Sequence, residues 1–207
     1  MLGEPVVALF LFACLTAFFA VNLHNITRSH GRSDAKAYAE IERPSGFFMG
    51  LAALGTFAYF LGALVFVFLA FAGLSQLMSI LSFSFAFSLA LFFQVLGMVF
   101  TALGYFVFVW SVIARGKYAT SWAMPGNQEL VTWGPYRYVR HPSYLGYFLM
   151  FTGLLLLWLN VFALFPLLAI PGYYQLTFRE EKLLLSRFGE KYAEYQGKTG
   201  RFVPKLR

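Results

Sequence analysis

The polar stretch at residues 134–147, with the sequence GPYRYVRHPSYLGY, is the part of the chain best equipped for chemistry. It places two arginines, one histidine, two prolines and four tyrosines directly before an apolar run. Polar clusters at the mouth of a membrane segment are costly, and they usually mark function. His141 and Tyr144 are three residues apart around Pro142, so they can face one pocket at the first turn of a helix. The exposed N–H groups of such a turn favour a carboxylate or another anion.

A second polar group lies near the C-terminus, where Glu180 and Glu181 follow an apolar stretch. One carboxylate of such a pair can accept hydrogen bonds from ribose hydroxyls or bind an amino group, while the other pairs with arginine or solvent. Together with His141 and Tyr144, the pair is suited to a zwitterionic ligand that carries a ribose. Taken alone, a Glu–Glu pair is more often a solvated face, and such a histidine is more often an interfacial cap.

The composition is that of an integral membrane protein. Of the 207 residues, 59% are hydrophobic and only 12% are charged, whereas soluble domains are about 25% charged. The net charge of +7 is interpreted as the positive bias of cytoplasmic loops, so no nucleic-acid partner is predicted. Cys14 is the single cysteine, which excludes an internal disulfide. His24 and His30 have no acid or cysteine at ligand spacing, so no metal site is predicted.

The positions of the apolar runs predict an all-α integral membrane protein with five transmembrane helices. The predicted spans are residues 5–23, 45–72, 83–113, 143–159 and 161–178. The last two form a helical hairpin that turns at Asn160, and Pro166 and Pro171 are expected to bend or break the returning helix. From Arg179 the chain is charged and is predicted to form a cytoplasmic amphipathic helix interrupted at Gly189. Residues 1–113 form a three-span N-terminal part and residues 114–207 a ligand-binding part of one compact domain.

The distribution of lysine and arginine predicts the orientation in the membrane. Four of the 16 lie in the first connection, four between the third and fourth spans, and eight in the tail, and none lies in the other two connections. With five spans, all of them fall on one side, whereas an even number would put basic segments on both faces. The positive-inside rule then places the N-terminus outside and the C-terminus in the cytoplasm.

The polar stretch and the acidic pair belong to one longer pattern. It reads G-P-Y-R-Y-x-R-H-P-S-Y-x-G, then E-E-x-x-L-x-x-x-F-G-x-x-Y-x-x-Y after the hairpin, then R-x-x-P. Over residues 115–205 it resembles the isoprenylcysteine carboxyl methyltransferase family and its phospholipid methyltransferase relatives. The resemblance implies a pocket for S-adenosyl-L-methionine on the cytoplasmic side. It also implies that a lipophilic small molecule or lipidated substrate reaches the methyl group from the lipid bilayer.

The resemblance also implies roles for particular residues. The expected cofactor-binding residues are Gln128, Glu129, Leu130, Val131, Gly134, Tyr136, His141, Pro142, Ser143, Tyr144, Glu180 and Glu181. Glu180 is expected to hold the cofactor, with Glu181 as its supporting neighbour. Arg179 and Arg140 are the predicted catalytic residues, although Arg140 could instead pair with the glutamates or with lipid phosphate.

One position departs from the family pattern. The carboxyl methyltransferases carry an arginine four residues before the glutamate that corresponds to Glu180, and this arginine is thought to hold the acceptor carboxylate. Leu176 stands there in this chain. Arg179 is three residues further along and almost one helical turn away, so it is not in register. Recognition of the acceptor through a carboxylate is therefore left open.

The sequence is thus interpreted as that of a membrane methyltransferase that uses S-adenosylmethionine. Prenylated cysteine, a phospholipid amine, a small thiol and another lipophilic acid remain alternative acceptors. A nicotinamide-dependent reductase is a second hypothesis, because sterol reductases carry a related R-H-P motif, although this chain lacks a glycine-rich dinucleotide loop. A non-enzymatic membrane protein that has kept the fold is a third.

Overall fold

The computed structural model describes residues 2–30, 38–39, 46–80, 89–116, 124–125 and 129–205, and most of them are helical. Within these residues the α-helices are α1 (Glu4–His30), α2 (Phe47–Phe71), α3 (Ala90–Arg115), α4 (Pro142–Trp158), α5 (Ala169–Phe188) and α6 (Glu190–Lys198). Shorter 3-10 segments cover Ser75–Ser79, Gly134–Arg137 and Val161–Leu168. Two strands of two residues each, β1 (Tyr38–Ala39) and β2 (Met124–Pro125), pair antiparallel.

Among the described residues, four helical segments are long and apolar enough to cross a membrane, by length and composition. They are Glu4–Thr27, Phe47–Phe71, Ala90–Arg115 and Val161–Phe188. The fifth predicted crossing falls on α4, which is also apolar but has only 17 residues. A multi-pass helical membrane protein is therefore confirmed, and the count of five spans stays a prediction.

The ends of the first and third helices differ from the predicted spans. Helix α1 continues to His30, well beyond the predicted end at residue 23. No glycine or proline interrupts this stretch, and the Asn22 side chain donates to the Phe18 carbonyl at 2.8 Å without breaking the helix. Helix α3 begins at Ala90, and residues 83–88 of the predicted third span lie outside the described residues.

The returning segment of the hairpin is divided differently from the prediction. Val161–Leu168 is a 3-10 segment that contains Pro166, and α5 begins directly after it. Pro171 lies in the first turn of α5, where its missing N–H leaves no intrahelical bond unmade, so the helix is not broken there. Helix α5 then runs through Arg179 without a break, because no helix-breaking residue lies there. It ends before Gly189, which adopts a positive φ of 52°, so the predicted interruption is confirmed.

The predicted turn at Asn160 is held by the Asn160 side chain. This residue is completely buried. Its Oδ1 accepts from the Phe162 N–H at 2.9 Å, and its Nδ2 donates to the Met78 carbonyl at 3.1 Å. The turn between α4 and the 3-10 segment is thereby tied to the connection between α2 and α3. Satisfying both ends of a buried amide in this way fixes the hairpin at its far end.

Helices α3 and α4 approach each other through facing glycines. A Cβ atom added to Gly104 would lie 2.7 Å from the Gly146 carbonyl oxygen, and one added to Gly146 would lie 2.8 Å from the Gly104 carbonyl oxygen. A Cβ atom on Gly153 would lie 2.2 Å from Thr101 Oγ1. Small residues allow such close packing between helices in lipid. The contact brings the C-terminal end of α3 beside the N-terminal end of α4, where the polar stretch lies.

The core is formed by apolar and aromatic side chains from α1 to α5. Leu11, Tyr59, Phe108, Phe151 and Leu176 are buried members of this core, one from each of these helices. Large apolar side chains also cover the outside of the bundle, as is usual for helices that face lipid rather than water. The polar cluster is thus carried on one end of an apolar bundle.

Candidate active site

The start of α4 is pinned by the C-terminal tail. Val139 forms a parallel β-bridge with Gly200. The backbone N–H of Arg140 donates to the Gly200 carbonyl at 2.9 Å, and that of His141 donates to the Arg201 carbonyl at 3.1 Å. His141 is the N-cap residue of α4, and Pro142 follows it at the first helical position. Backbone hydrogen bonds to the tail therefore hold Arg140 and His141 in place, independently of the contacts that their side chains make.

Glu181 is the centre of the polar cluster. Its side chain is 8% exposed, and five contacts reach its two oxygens. Oε1 accepts from Arg140 Nε (3.0 Å), His141 Nε2 (3.1 Å) and Arg201 Nε (3.1 Å). Oε2 accepts from Arg201 Nη2 (2.8 Å) and Gln196 Nε2 (3.2 Å). A carboxylate has about four lone-pair sites. Glu181 is therefore fully occupied by the protein itself.

Glu180 has different surroundings, although it is the next residue of α5. Its side chain is 34% exposed. Oε1 accepts from the Tyr144 hydroxyl, and Oε2 lies 3.4 Å from His141 Nδ1. This carboxylate is oriented by two neighbours and still open to the outside. Of the two glutamates, Glu180 has the capacity to bind a further donor.

His141 lies between the two carboxylates, with Nδ1 facing Glu180 and Nε2 facing Glu181. Burial by itself would lower the pKa of His141, but the hydrogen bonds and charges of Glu180 and Glu181 outweigh it, and the pKa is raised above 6.5. In the protonated form, which the raised pKa favours, both ring nitrogens act as donors. The imidazolium form therefore bridges the occupied carboxylate and the open one.

Tyrosine rings form the wall next to Glu180. The Tyr144 ring is parallel to the His141 ring, with a centroid distance of 5.7 Å, and lies 4.6 Å from the Tyr173 ring. Tyr147 stacks on Tyr173 at 5.2 Å. The Tyr173 hydroxyl is 2.9 Å from Thr56 Oγ1, which ties this wall to α2. Aromatic faces of this kind can attract a cationic ligand group.

A cavity of about 170 Å³ opens between the beginning of α2 and α5. It is lined by Phe48, Met49, Gln175, Leu176, Phe178 and Arg179. Most of the wall is apolar, and Arg179 supplies the cation in it. Leu176, which stands where the family carries its arginine, is 2% exposed and contributes only hydrocarbon.

The structure brings five of the predicted site residues into one cluster: Arg140, His141, Tyr144, Glu180 and Glu181. Pro142 lies beside them at the start of α4. Ser143 turns its hydroxyl towards α3, where Ser111 Oγ is 2.7 Å away. Arg179 lies apart from the cluster in the cavity.

The predicted residues that precede the cluster have other surroundings. Val131 and Tyr136 are buried and pack against Ala114 at the end of α3, and Leu130 is buried beside them in the sequence. Gly134 has a φ of 59° and also lies against Ala114. Glu129 is exposed, and Gln128 lies outside the described residues. Val131, Gly134 and Tyr136 support the end of α3. The predicted cofactor contacts of all six residues stay predictions.

Residues of the C-terminal tail join the cluster without having been predicted. The Arg201 guanidinium reaches both oxygens of Glu181 and lies over the Phe178 ring at 4.0 Å. Arg140 Nη1 also donates to the Thr199 carbonyl. Arg201 is the arginine of the R-x-x-P motif, so the motif carried the signal, whereas nothing in the sequence pointed to Gln196 or Thr199.

In the part of the chain that the structure describes, four long apolar helices with an acid–base cluster at one end define a multi-pass membrane protein with a polar site where its helices terminate. Residues 92–191, just under half of the chain, match the family model of the phospholipid methyltransferases. The match begins earlier than the motif-based resemblance, inside α3, and ends in α6. The family predicted from the sequence is confirmed.

Three curated relatives share the name protein-S-isoprenylcysteine O-methyltransferase. The protein from Tribolium castaneum is 35% identical over 80 residues, which cover 38% of this chain and 28% of the relative. The protein from Schizosaccharomyces pombe is 40% identical over 77 residues, which cover 36% of this chain and 33% of the relative. The protein from Saccharomyces cerevisiae is 38% identical over 80 residues, which cover 38% of this chain and 34% of the relative. The matches thus span about a third of the length of these relatives or less.

Proposed function

We propose that this chain is a methyltransferase that uses S-adenosyl-L-methionine at the cytoplasmic face of a membrane to methylate a lipophilic acceptor. The observation that carries the proposal is the Glu180 carboxylate, oriented by Tyr144 and His141 yet still open, in a region that matches the model of a methyltransferase family. The name of the curated relatives supports an acceptor similar to an isoprenylcysteine carboxylate. The name of the matched family supports a lipid acceptor.

The residues at the site fit the proposed cofactor. S-adenosylmethionine supplies a methyl group on a sulfonium, which is an already activated leaving group. Glu180 can accept hydrogen bonds from ribose hydroxyls or from an ammonium group, because its carboxylate is 34% exposed. The Tyr144 and Tyr173 rings offer aromatic faces beside it for a positively charged group. The open Glu180 carboxylate and the Tyr144 and Tyr173 rings therefore lie next to each other, as an ammonium or sulfonium ligand requires.

Glu181 and Arg140 position the site instead of contacting the ligand. The Glu181 carboxylate is occupied by donors from α4, α6 and the tail, and it holds the His141 ring in place. The Arg140 guanidinium is divided between Glu181 and the Thr199 carbonyl. We therefore assign Arg140, predicted as catalytic, to the orientation of Glu181 and of the C-terminal tail.

Arg179 is proposed to receive the polar head of the acceptor. It lines the cavity between α2 and α5, whose other walls include Phe48, Met49 and Leu176. An acceptor with a hydrocarbon chain and an anionic head matches an apolar cavity that contains one cation. Since Leu176 cannot bind a carboxylate, Arg179 supplies the positive charge that this position lacks.

Alignment and exclusion of water are the main tasks left to the protein. A carboxylate or thiolate acceptor is already deprotonated or readily so near neutral pH, whereas an ammonium acceptor must first lose a proton. No side chain is therefore assigned as an indispensable general base. The parallel rings of His141 and Tyr144 and the buried cluster behind them keep the site walls fixed.

Ligand binding to the detergent-solubilised protein tests this proposal. S-adenosylmethionine should raise the melting temperature of the wild type, and the Glu180→Gln variant should lose this shift. Glu190→Gln, which changes an exposed acid at the start of α6, is the matched control and should keep it. A shift with NADPH in place of S-adenosylmethionine would favour the reductase hypothesis, which finds no support among the relatives. A shift with neither would favour a non-enzymatic protein.

A further inference from the structure

Arg115 is a further arginine beside the start of α4, where its side chain contacts Ser143. It is the last residue of α3, and the α3–α4 contact carries it to the start of α4. Ser143, which accepts from Arg115, directly precedes Tyr144 in the first turn of α4. The Tyr144 hydroxyl is in turn bonded to Glu180. Arg115 and the open Glu180 carboxylate thus contact neighbouring residues, Ser143 and Tyr144, of the first turn of α4.

A chain of hydroxyl groups orients the Arg115 guanidinium. Ser111 Oγ donates its only proton to the Phe108 carbonyl at 2.7 Å. The 2.7 Å bond between Ser111 and Ser143 must therefore be donated by Ser143. Ser143 Oγ is then left to accept, and Arg115 Nη2 donates to it at 3.3 Å. Ser143, predicted as a cofactor contact, is directed towards Arg115 by this arrangement.

The Nε atom of Arg115 is buried and makes no hydrogen bond within the part of the chain that the structure describes. An unpaired buried N–H group, above all on a charged side chain, is unfavourable. The position of Arg115 in the last turn of α3 explains why a cation is favourable there, but not why its Nε lacks an acceptor. The first turn of α4 lies beside it and has its own unpaired backbone N–H groups.

We propose that Arg115, oriented by Ser143 and Ser111, forms a carboxylate-binding subsite with the first turn of α4. A guanidinium and a helix N-terminus both favour an anion, and a guanidinium can bind a carboxylate with two parallel hydrogen bonds. This inference rests on the proposed function. If the chain binds S-adenosylmethionine as proposed, the ammonium of the amino-acid end would face Glu180 and its carboxylate would face Arg115. The carboxylate of an acceptor is the second possible source of the same group.

Pairs of probes that differ only in a carboxylate test the subsite by calorimetry on the full chain. The cofactor pair is S-adenosylmethionine and decarboxylated S-adenosylmethionine. The acceptor pair is an S-prenylated N-acetylcysteine and its carboxamide. Arg115→Met should weaken binding of one carboxylate probe by about tenfold or more, with little effect on the partner probe that lacks the carboxylate. Arg115→Lys should restore part of the loss, and Arg137→Met, at an exposed arginine, should bind as the wild type does.

The outcomes separate this inference from the proposed function. A carboxylate-dependent loss in the cofactor pair assigns the subsite to the cofactor, and one in the acceptor pair assigns it to the acceptor. Equal losses with both members of each pair would show a structural role, and no loss with either pair would show no role, so both results overturn the inference while the proposed function stands. A wild type that binds the acceptor carboxylate through Arg115 but not S-adenosylmethionine would overturn the function and keep the subsite.

Discussion

Glu180 and Glu181 are neighbours in one helix, yet the fold gives them different tasks. Arg140, His141 and Arg201 all donate to Glu181, whose side chain is 8% exposed, whereas the Glu180 side chain is 34% exposed. A fully occupied carboxylate contributes to folding and to orientation. An open carboxylate next to aromatic rings can bind a ligand.

This difference predicts that the same substitution affects mainly stability at Glu181 and mainly ligand binding at Glu180. Glu181→Gln leaves Arg140 and Arg201 without their buried anion, so the free energy of unfolding should fall by about 3 kcal/mol. Glu180→Gln should change it by less than about 1 kcal/mol but remove S-adenosylmethionine binding. Denaturant unfolding in mixed micelles and calorimetry measure the two quantities. Equal loss of stability in both variants would contradict this division of roles.

The protonation of His141 predicts a pH dependence of stability. Because the folded-state pKa of His141 is raised above 6.5 by the adjacent Glu180 and Glu181 carboxylates, protonation stabilises the folded state. This contribution is complete below pH 6.5 and is lost as the pH rises through the folded-state pKa. The melting temperature of the wild type should therefore fall over that interval. In His141→Asn the fall should be smaller, whereas His24→Asn, at an exposed histidine, should follow the wild type.

At the scale of elements, the glycine contact between α3 and α4 decides whether the site is assembled. Gly104 and Gly146 bring the two backbones close enough for a Cβ atom on either to collide with the carbonyl of the other. Arg115 at the end of α3 and His141 at the start of α4 depend on this contact for their relative position. The packing of two apolar helices thus sets the geometry of a polar site.

Overpacking this contact should therefore damage both stability and binding. Gly146→Leu should lower the free energy of unfolding by about 1–3 kcal/mol or more and weaken S-adenosylmethionine binding. Gly50→Leu is the matched control, because a Cβ atom at Gly50 of α2 meets nothing within 4 Å. Melting curves and calorimetry of both variants provide the comparison. Wild-type behaviour of Gly146→Leu would show that α3 and α4 are not packed in this way.

The tail segment, residues 199–202, is a second element that completes the site. It supplies Arg201 to Glu181 and two carbonyl groups to the start of α4. A Cβ atom on Gly200 would lie 1.6 Å from the Val203 carbonyl oxygen, so the backbone there must move if Gly200 is replaced. The tail segment can keep its path only with glycine at this position.

Replacement of this glycine is expected to loosen the whole cluster. Gly200→Ala should weaken S-adenosylmethionine binding by about tenfold or more, because Arg201 and the backbone of His141 lose their alignment. Gly197→Ala, three residues earlier in α6, meets no atom within 4 Å and should leave binding unchanged. Calorimetry on the two variants measures the difference. Loss of binding in both would instead point to a general effect on α6.

At the scale of the whole molecule, the topology decides which side of the membrane carries the site. Within residues 2–30, 38–39, 46–80, 89–116, 124–125 and 129–205, four segments are long enough to cross, and α4, with 17 residues, is a shorter apolar helix. If α4 crosses, the connection after α2 and helix α6 lie on opposite sides of the membrane. If α4 does not cross, the two lie on the same side. The positive-inside rule favours five crossings with the tail in the cytoplasm.

Cysteine labelling distinguishes the two topologies. In a Cys14→Ser background, Gln76→Cys after α2 and Gly197→Cys in α6 each place one thiol at an exposed position. With five spans, a membrane-impermeant maleimide added to intact cells should label the thiol at position 76 and leave that at position 197 protected until the cells are opened. Labelling of both thiols in intact cells would show that α4 does not cross.

The sequence by itself determined the class of protein and the resemblance to a methyltransferase family, and it predicted the place of the site. Hydropathy is a property of contiguous residues, and the R-H-P and E-E motifs are short, so both can be read without the fold. The interruption at Gly189 and the turn at Asn160 were predictable for the same reason. The extension of α1 to His30 was missed, because a helix does not have to end where its apolar run ends.

Only the tertiary structure decided which polar side chains are occupied by other residues and which one remains open to a ligand. Whether Glu180 or Glu181 is occupied depends on donors from α4, α6 and the tail segment, which are distant along the chain. The approach of Arg115 to the start of α4 likewise depends on glycines packed along two helices. Sequence spacing predicts which residues share a helix face. Contacts between helices arise from packing of the whole chain, and these contacts determine which carboxylate remains open.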